Sequence, residues 1–443
     1  MEKKNIFIIA GVIIFVFASI AFAVLFLKQK EEKTNFTVSA INTQITTQDN
    51  QGLLVGYDNI AQRIKIEDSD IIPQDKGKIT VPASKRSETG GYFLSNNYKI
   101  SPDGRFLAVL TPADPTMLDR VDKNDFVSSI LVYDLSSGAK HEFVKADNKT
   151  MITSFSWDWS GQAISFTATK RLNRADYYEN PISFFMPPPS YSSKIYLHKV
   201  ELATGKISTK EYPAKADYYY GGGTVLLSSN NDRYYLLDGS ALITVSDKVT
   251  QENQERVYFE FEDDNIYFSN DYKTVVLNST SQIIVYNLEK KEKQTFNIGT
   301  GNLHGVRVGI VTIAPDGSGI AFVKSSPSTK ASSNQSSISY SSPYETDSSS
   351  KVTNETIWYY NFANKQFKEL LTRAILTDSY SYNSKTNLAF SPDGKKLAAI
   401  TSNYEKNQPI AKQTLRIFDL VNDRSNEYPI NFTTAHARLI DWR

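Results

Sequence analysis

The chain of 443 residues contains no cysteine and only four histidines, His141, His198, His304 and His436, far apart in sequence. Without thiols there is no disulfide framework, no thiolate metal site and no cysteine nucleophile. Four scattered histidines make no histidine-rich metal centre, so neither a metal nor a cofactor is expected. An excess of charge is lacking too: 49 Lys and Arg face 48 Asp and Glu, leaving a net charge of +1. Such a balance sets up no global field to draw in a nucleic acid, and no nucleic-acid partner is expected. Also absent are a G-x-S-x-G elbow, a phosphate loop, an H-E-x-x-H pair and a dinucleotide fingerprint. No catalytic residue is therefore assigned. Methionine is scarce, whereas 26 tyrosines and 24 phenylalanines are present. That bias leans toward an all-β protein.

Ile6 to Leu27, IFIIAGVIIFVFASIAFAVLFL, carries no charge. Its length suffices for a helix to cross the hydrocarbon core. Ala21-Phe22-Ala23 resembles a signal-peptide cleavage site, but the apolar run continues past it. The reading is a retained single-pass anchor over 1–33, a linker over 34–50, and a domain over 51–443 outside the cytoplasm, at the cell surface or in the periplasm. Flanking lysines on both sides leave the orientation to the short N-terminal head.

Internal similarity is the most informative feature. Ile100-SPDGRFLAVL, Ile313-APDGSGIAFV and Phe390-SPDGKKLAAI match closely, and weaker copies begin at Phe155, Leu227 and Phe268. Proline presets φ at the second turn position, and Asp tolerates the next site. Gly supplies the left-handed residue that closes a tight hairpin. Asp103, Gly104, Asp316, Gly317, Asp393 and Gly394 are thus structural turn residues rather than catalytic ones. A second signature follows each turn, as in Ile130-LVYDLSSG, Ile283-IVYNLEKK and Leu415-RIFDLVND. Two hairpins per unit make a four-stranded blade.

These units resemble the repeats of TolB-type propellers and of the propeller domains of prolyl oligopeptidase-like proteins. The resemblance implies a β-propeller over about residues 90–443 and says little about function. The stretch 34–50 is too short for TolB's additional N-terminal domain, and no hydrolase domain is expected. Six repeat turns, plus Ala437-RLIDWR joined to strands near Gly52 and Gln62, give seven blades, with six or eight as alternatives.

Long insertions are read at Pro112–Val127, Lys170–Ser193, Lys324–Thr353 and Ser402–Gln413, all on one face. The third is serine-rich and expected to be mobile. The second crowds Tyr177, Tyr178, Phe184, Phe185, Met186 and Tyr191 around a triple proline. Such residues are enriched at interfaces. They either fold back over their own blade or contact a partner. The functional expectation is a membrane-anchored, non-catalytic module that binds a protein or a cell-envelope polymer. The alternative is a propeller enzyme of glycosidase, lyase or lactonase type, with its site at the channel mouth.

Overall fold

The computed structural model describes residues 36–41, 52–57, 60–67, 70–81, 98–111, 128–147, 150–170, 195–212, 225–231, 233–238, 241–246, 255–258, 266–278, 282–298, 307–327, 351–377, 387–403, 412–433 and 437–442. They are all-β, in seven antiparallel sheets that form the blades of a seven-bladed β-propeller. From the axis outward, blade 1 holds Tyr98–Ile100, Phe106–Thr111, Ser129–Asp134 and Lys140–Ala146. Blade 2 holds Thr150–Trp157, Ala163–Lys170, Ile195–Glu201 and Ile207–Tyr212. Blade 3 holds Val225–Asn230, Arg233–Asp238, Ala241–Val245 and Glu255–Tyr258. Blade 4 holds Ile266–Phe268, Thr274–Asn278, Gln282–Asn287 and Glu292–Asn297. Blade 5 holds Arg307–Ile313, Gly319–Pro327, Lys351–Asn361 and Gln366–Thr377. Blade 6 holds Asn387–Phe390, Lys396–Asn403, Lys412–Asp419 and Arg424–Pro429.

Blade 7 is composite. Its inner strand is Arg438–Trp442, paired with Leu53–Tyr57 and followed by Ile60–Glu67 and Asp70–Pro73. Leu53, Val55 and Leu439 pack against Ala398, Ile400 and Leu415 of blade 6. On its other side Leu54 and Ala61 pack with Leu107, Leu131 and Tyr133 of blade 1. A backbone ladder between the two ends of the chain thus closes the ring and removes the sheet edges an open ring would expose.

Sequence explains the layering within a blade. Second and third strands lie between neighbouring blades, so both their faces are covered; Phe106–Thr111 (FLAVLT) is buried at every position but its last. Outer strands meet water and turn polar, as in Glu292–Asn297 (EKQTFN). Burying each large core side chain is worth about 1.5–3 kcal/mol.

Five inner hairpins share one hydrogen bond, from the fourth turn residue back to the first: Gly104 to Ser101, Gly161 to Asp158, Tyr272 to Ser269, Gly317 to Ala314 and Gly394 to Ser391, at 2.8–2.9 Å. The fourth residue is left-handed, with φ from 67° to 72° in the glycines and 58° in Tyr272. Asp103 Oδ1 accepts hydrogen bonds from Ser101 Oγ (2.5 Å) and the Arg105 N–H (3.1 Å). Asp393 repeats this with Ser391 and Lys395, and Asp316 accepts from the Ser318 N–H at 2.9 Å. At Gly394 an added Cβ would also strike the Asp316 carboxylate of the neighbouring turn. Blade 2 shifts the motif by one residue. Asp158 occupies the first turn position, where blade 1 has Ser101.

Three sequence readings change. The stretch 34–50 is not wholly a linker: Phe36–Val38 adds a fifth strand outside blade 1, pairing Phe36 with Ala146 and Val38 with Val144. Phe36, Val38 and Ile41 are drawn there by the apolar groove between blades 1 and 2. In blade 5 the insertion is shorter than read, because Ser325, Ser326 and Pro327 continue the ladder opposite Glu355, Asn354 and Thr353. Serine tolerates a strand wherever a partner strand satisfies its backbone. Likewise Ser402 and Asn403 pair with Gln413 and Lys412. Among the described residues no helix is long and apolar enough to cross a membrane; Ile6–Leu27 lies outside them.

Candidate functional site at the ring axis

Side chains from blades 1, 2 and 4 meet near the end of the axis that carries the tight turns. Lys99, on the inner strand of blade 1, sets its Nζ 4.4 Å from the ring centre of Phe268, 5.7 Å from Tyr272 and 5.9 Å from Phe155. Backbone carbonyls flanking the lysine side chain are fixed from two directions. The Trp157 Nε1–H of blade 2 donates to the Lys99 carbonyl at 2.9 Å. The Tyr272 hydroxyl of blade 4 donates to the Ile100 carbonyl at 2.7 Å.

A hydrogen-bonded relay holds Tyr272 in turn. The Trp159 Nε1–H donates to Ser228 Oγ, and Ser228 donates to the Tyr272 carbonyl, both at 2.7 Å. Trp159 itself lies flat on Tyr235, with ring centres 5.6 Å apart. Thus blades 2, 3, 4 and 1 are tied in series across the axis. Tyr272 takes a left-handed backbone that non-glycine residues rarely adopt, which presents its ring and hydroxyl toward blade 1.

Two opposing forces act on Lys99. Dense surroundings push its amine down to about 7, because a low-dielectric interior disfavours the charged form. The three ring faces act the other way, each attracting an ammonium through the aromatic quadrupole. Lys99 also keeps partial solvent contact. An amine so placed can hold an anionic group or, when neutral, act as base or nucleophile.

Three other enclosed sites, at Asp158, Glu355 and His198, serve the architecture. Asp158, buried at 2 % exposure, accepts from Lys199 Nζ (2.7 Å), the Asn231 N–H (3.2 Å) and Ser160. It thereby pins blade 3 to blade 2. Glu355 and Arg373 pair at 2.6 Å inside blade 5. His198 Nδ1 lies 2.9 Å from Thr209 Oγ1, and its ring stacks on Phe166 beneath Phe36. Burial pushes it down to about 4, so it is neutral near pH 7. Among the described residues no three His, Asp or Glu side chains gather as a metal site.

Tyr177, Tyr178, Phe184, Phe185, Met186 and Tyr191 lie outside the described residues, as do His304 and His436. Lys170 and Ile195, the strand ends on either side of that aromatic segment, sit on the face opposite the tight turns. Lys99, Phe155, Phe268 and Tyr272 were not singled out by sequence, although a signal existed. Counting back two residues from the first turn residue gives Lys99, Ser156, Tyr267, Thr312 and Ala389 in blades 1, 2, 4, 5 and 6. Only blade 1 places a charge there.

No protein-family model and no curated protein sequence matches this chain. Among solved structures it is similar to a periplasmic gluconolactonase of Pseudomonas aeruginosa, with 14 % identity and a TM-score of 0.45 over 89 % of this chain and 99 % of that one. A functionally unknown protein of Desulfotomaculum acetoxidans gives 11 % identity and a TM-score of 0.41 over 88 % and 100 %. An oligogalacturonate lyase in complex with manganese gives 10 % and 0.31 over 89 % and 83 %. Likeness at this level says nothing about activity.

Proposed function

We propose that this chain is a membrane-tethered, TolB-type propeller outside the cytoplasm that binds a protein partner through the face opposite its tight turns. The inequality of the two faces carries the reading. On the turn face, five inner hairpins repeat one hydrogen-bonded geometry, and the axis there is occupied by Lys99 and its three rings. The opposite face has no such uniformity. Blades 3 and 7 join their second and third strands through 239–240 and 58–59, whereas blades 1, 2, 5 and 6 use 112–127, 171–194, 328–350 and 404–411. Extra chain on one face of a rigid scaffold is where recognition concentrates. The Pro-Asp-Gly hairpins support the TolB-type assignment, and the uncharged run Ile6–Leu27 supports the tether.

The test is capture of partners by photo-crosslinking in native membranes, with the full chain and the variant Phe184→Ser/Phe185→Ser. Loss of a specific crosslinked partner, with melting within about 1 kcal/mol of the parent, is the expected outcome, because few anchors dominate interfaces. Replacing each of the four long connections in turn by a short Gly–Ser link extends the test. Crosslinking that survives all four replacements overturns the reading. The enzymatic alternative draws on one observation, the enclosed Lys99 amine; a hydrolytic or lyase activity abolished by Lys99→Met would favour it.

A further inference from the structure

The chain enters the propeller from a definite side. Phe36–Val38 runs antiparallel to the outer strand of blade 1, with Phe36 opposite Ala146 and Val38 opposite Val144. Ala146 is the last residue of that outer strand, and its neighbour Lys145 pairs with Ser129, which in turn faces Thr111. All three lie where the long connections leave the blade, away from the turn at Ser101–Gly104. From Phe36 the chain proceeds toward the turn face: the Ser39 N–H bonds the Phe143 carbonyl, and the Ile41 N–H bonds the Leu202 carbonyl in an outer turn of blade 2. The direction is locked by packing. Phe36 meets Phe166 edge-on at 5.1 Å and His198 at 4.7 Å, and Ile41 is buried at 2 % exposure.

From this polarity we infer that the face bearing the long connections is held against the lipid bilayer, with the tight-turn face pointing away. The inference rests on the proposed membrane tether and adds the orientation which that tether imposes. Residues 28–35 separate the apolar run from Phe36, and at about 3.3–3.6 Å per residue they span at most roughly 28 Å. An outer strand such as Lys140–Ala146 covers roughly 20–25 Å on the same scale. Doubling back along the blade to the turn face would consume most of that reach and leave only a few ångströms to clear the rim. The partner bound by the connection face is therefore met at the membrane surface, within tether length of the lipid headgroups, and the Lys99 end of the axis opens away from them.

The absence of cysteine makes the test clean, since any introduced thiol is unique. Tyr258 (65 % exposed, the end of the outer strand of blade 3) and Lys412 mark the connection face. Val421 (68 % exposed, in the outer turn of blade 6) and Ser137 mark the turn face. The full chain, as Tyr258→Cys, Lys412→Cys, Val421→Cys or Ser137→Cys, is labelled with a fluorophore. It is then reconstituted in phosphatidylcholine vesicles whose headgroups carry a nitroxide quencher. Quenching several-fold stronger at 258 and 412 than at 421 and 137 is expected. Adding Phe36→Asp, which removes the packing but not the apolar run, is expected to shrink that difference. Protein that floats with the vesicles but shows equal or reversed quenching overturns the orientation while leaving the tether standing. Protein that fails to float overturns both.

Discussion

The ring is closed twice, around its rim and across its axis, and the two closures differ in kind. Around the rim, Arg438–Trp442 and Leu53–Tyr57 close it through a backbone ladder and ordinary apolar packing. Across the axis, blades 1, 2, 3 and 4 are joined by individual side chains: Lys99, Trp157, Trp159, Ser228 and Tyr272. The rim is generic, since any strand of suitable pattern serves there. The axis is specific, since each bond needs one donor at one place. Generic closure confers stability, while specific closure fixes how the inner strands sit against each other.

The sharpest way to break the first closure is to delete 437–443. That bares the inner edge of Leu53–Tyr57 and strips Leu439, buried at 6 %, and the partly buried Trp442 from the core beside blade 6. Loss of one large core side chain costs about 2–5 kcal/mol, and here a whole inner strand goes with it. Cooperative unfolding of the domain at a much lower temperature than the parent is expected by calorimetry. An unchanged melting temperature would show that the ring does not depend on its composite blade.

Trp157→Ala comes next and breaks the second closure. Trp157 has 0 % exposure, packs on Phe106 with ring centres 6.3 Å apart, and anchors the Lys99 carbonyl. A loss of about 3–5 kcal/mol is expected in denaturant titration. Trp157→Phe recovers most of the packing but not the hydrogen bond, so its shortfall from the parent reads the bond and the gap between the two variants reads the packing. Smaller still is Tyr272→Phe. It removes the hydroxyl that reaches Ile100 and leaves the ring over Lys99, for an expected cost of about 1 kcal/mol. A cost near zero would mean that water replaces the hydroxyl and that the axial tie is dispensable.

The same contrast explains what sequence revealed. Rim and blades were legible because their patterns recur: an apolar run ending in Asp-Leu, as in Ile130-LVYDL, and Pro-Asp-Gly at Asp103, Asp316 and Asp393. Each recurs, and recurrence is visible in a single chain. The axial cluster was not read because its members hold repeat-equivalent positions with unlike residues. Tyr272 stands where blades 1, 2, 5 and 6 have glycine, and Lys99 stands where blades 2, 4, 5 and 6 have Ser156, Tyr267, Thr312 and Ala389. Such departures look like noise in a repeat until the ring brings them together. Phe36–Val38 escaped notice for another reason: a three-residue strand has no period of its own and exists only because blade 1 offers an edge.

Lys99→Met is read through the pH dependence of its effect rather than through its size at any one pH. In the folded chain burial lowers the amine from 10.5 to about 7, so between those limits the unfolded chain binds more protons than the folded one. Stability therefore rises with pH from about 7 to about 10.5 and is flat with respect to this group below 7. Phe155, Phe268 and Tyr272 favour the ammonium and narrow that window from its lower end. Methionine keeps the length and the ring contacts but cannot titrate. The difference in unfolding free energy between parent and Lys99→Met, followed from pH 6 to pH 10, should favour the variant most below the lysine's folded pKa and shrink as pH rises. The pH at which the difference begins to fall reads the folded pKa. An onset near 7 means that burial dominates and the amine is available as a base or nucleophile. An onset near 10 means that the rings dominate and Lys99 is a permanent cation locking the axis. A flat difference would show that Lys99 titrates identically in both states, and that the ring contacts leave no net mark on the lysine.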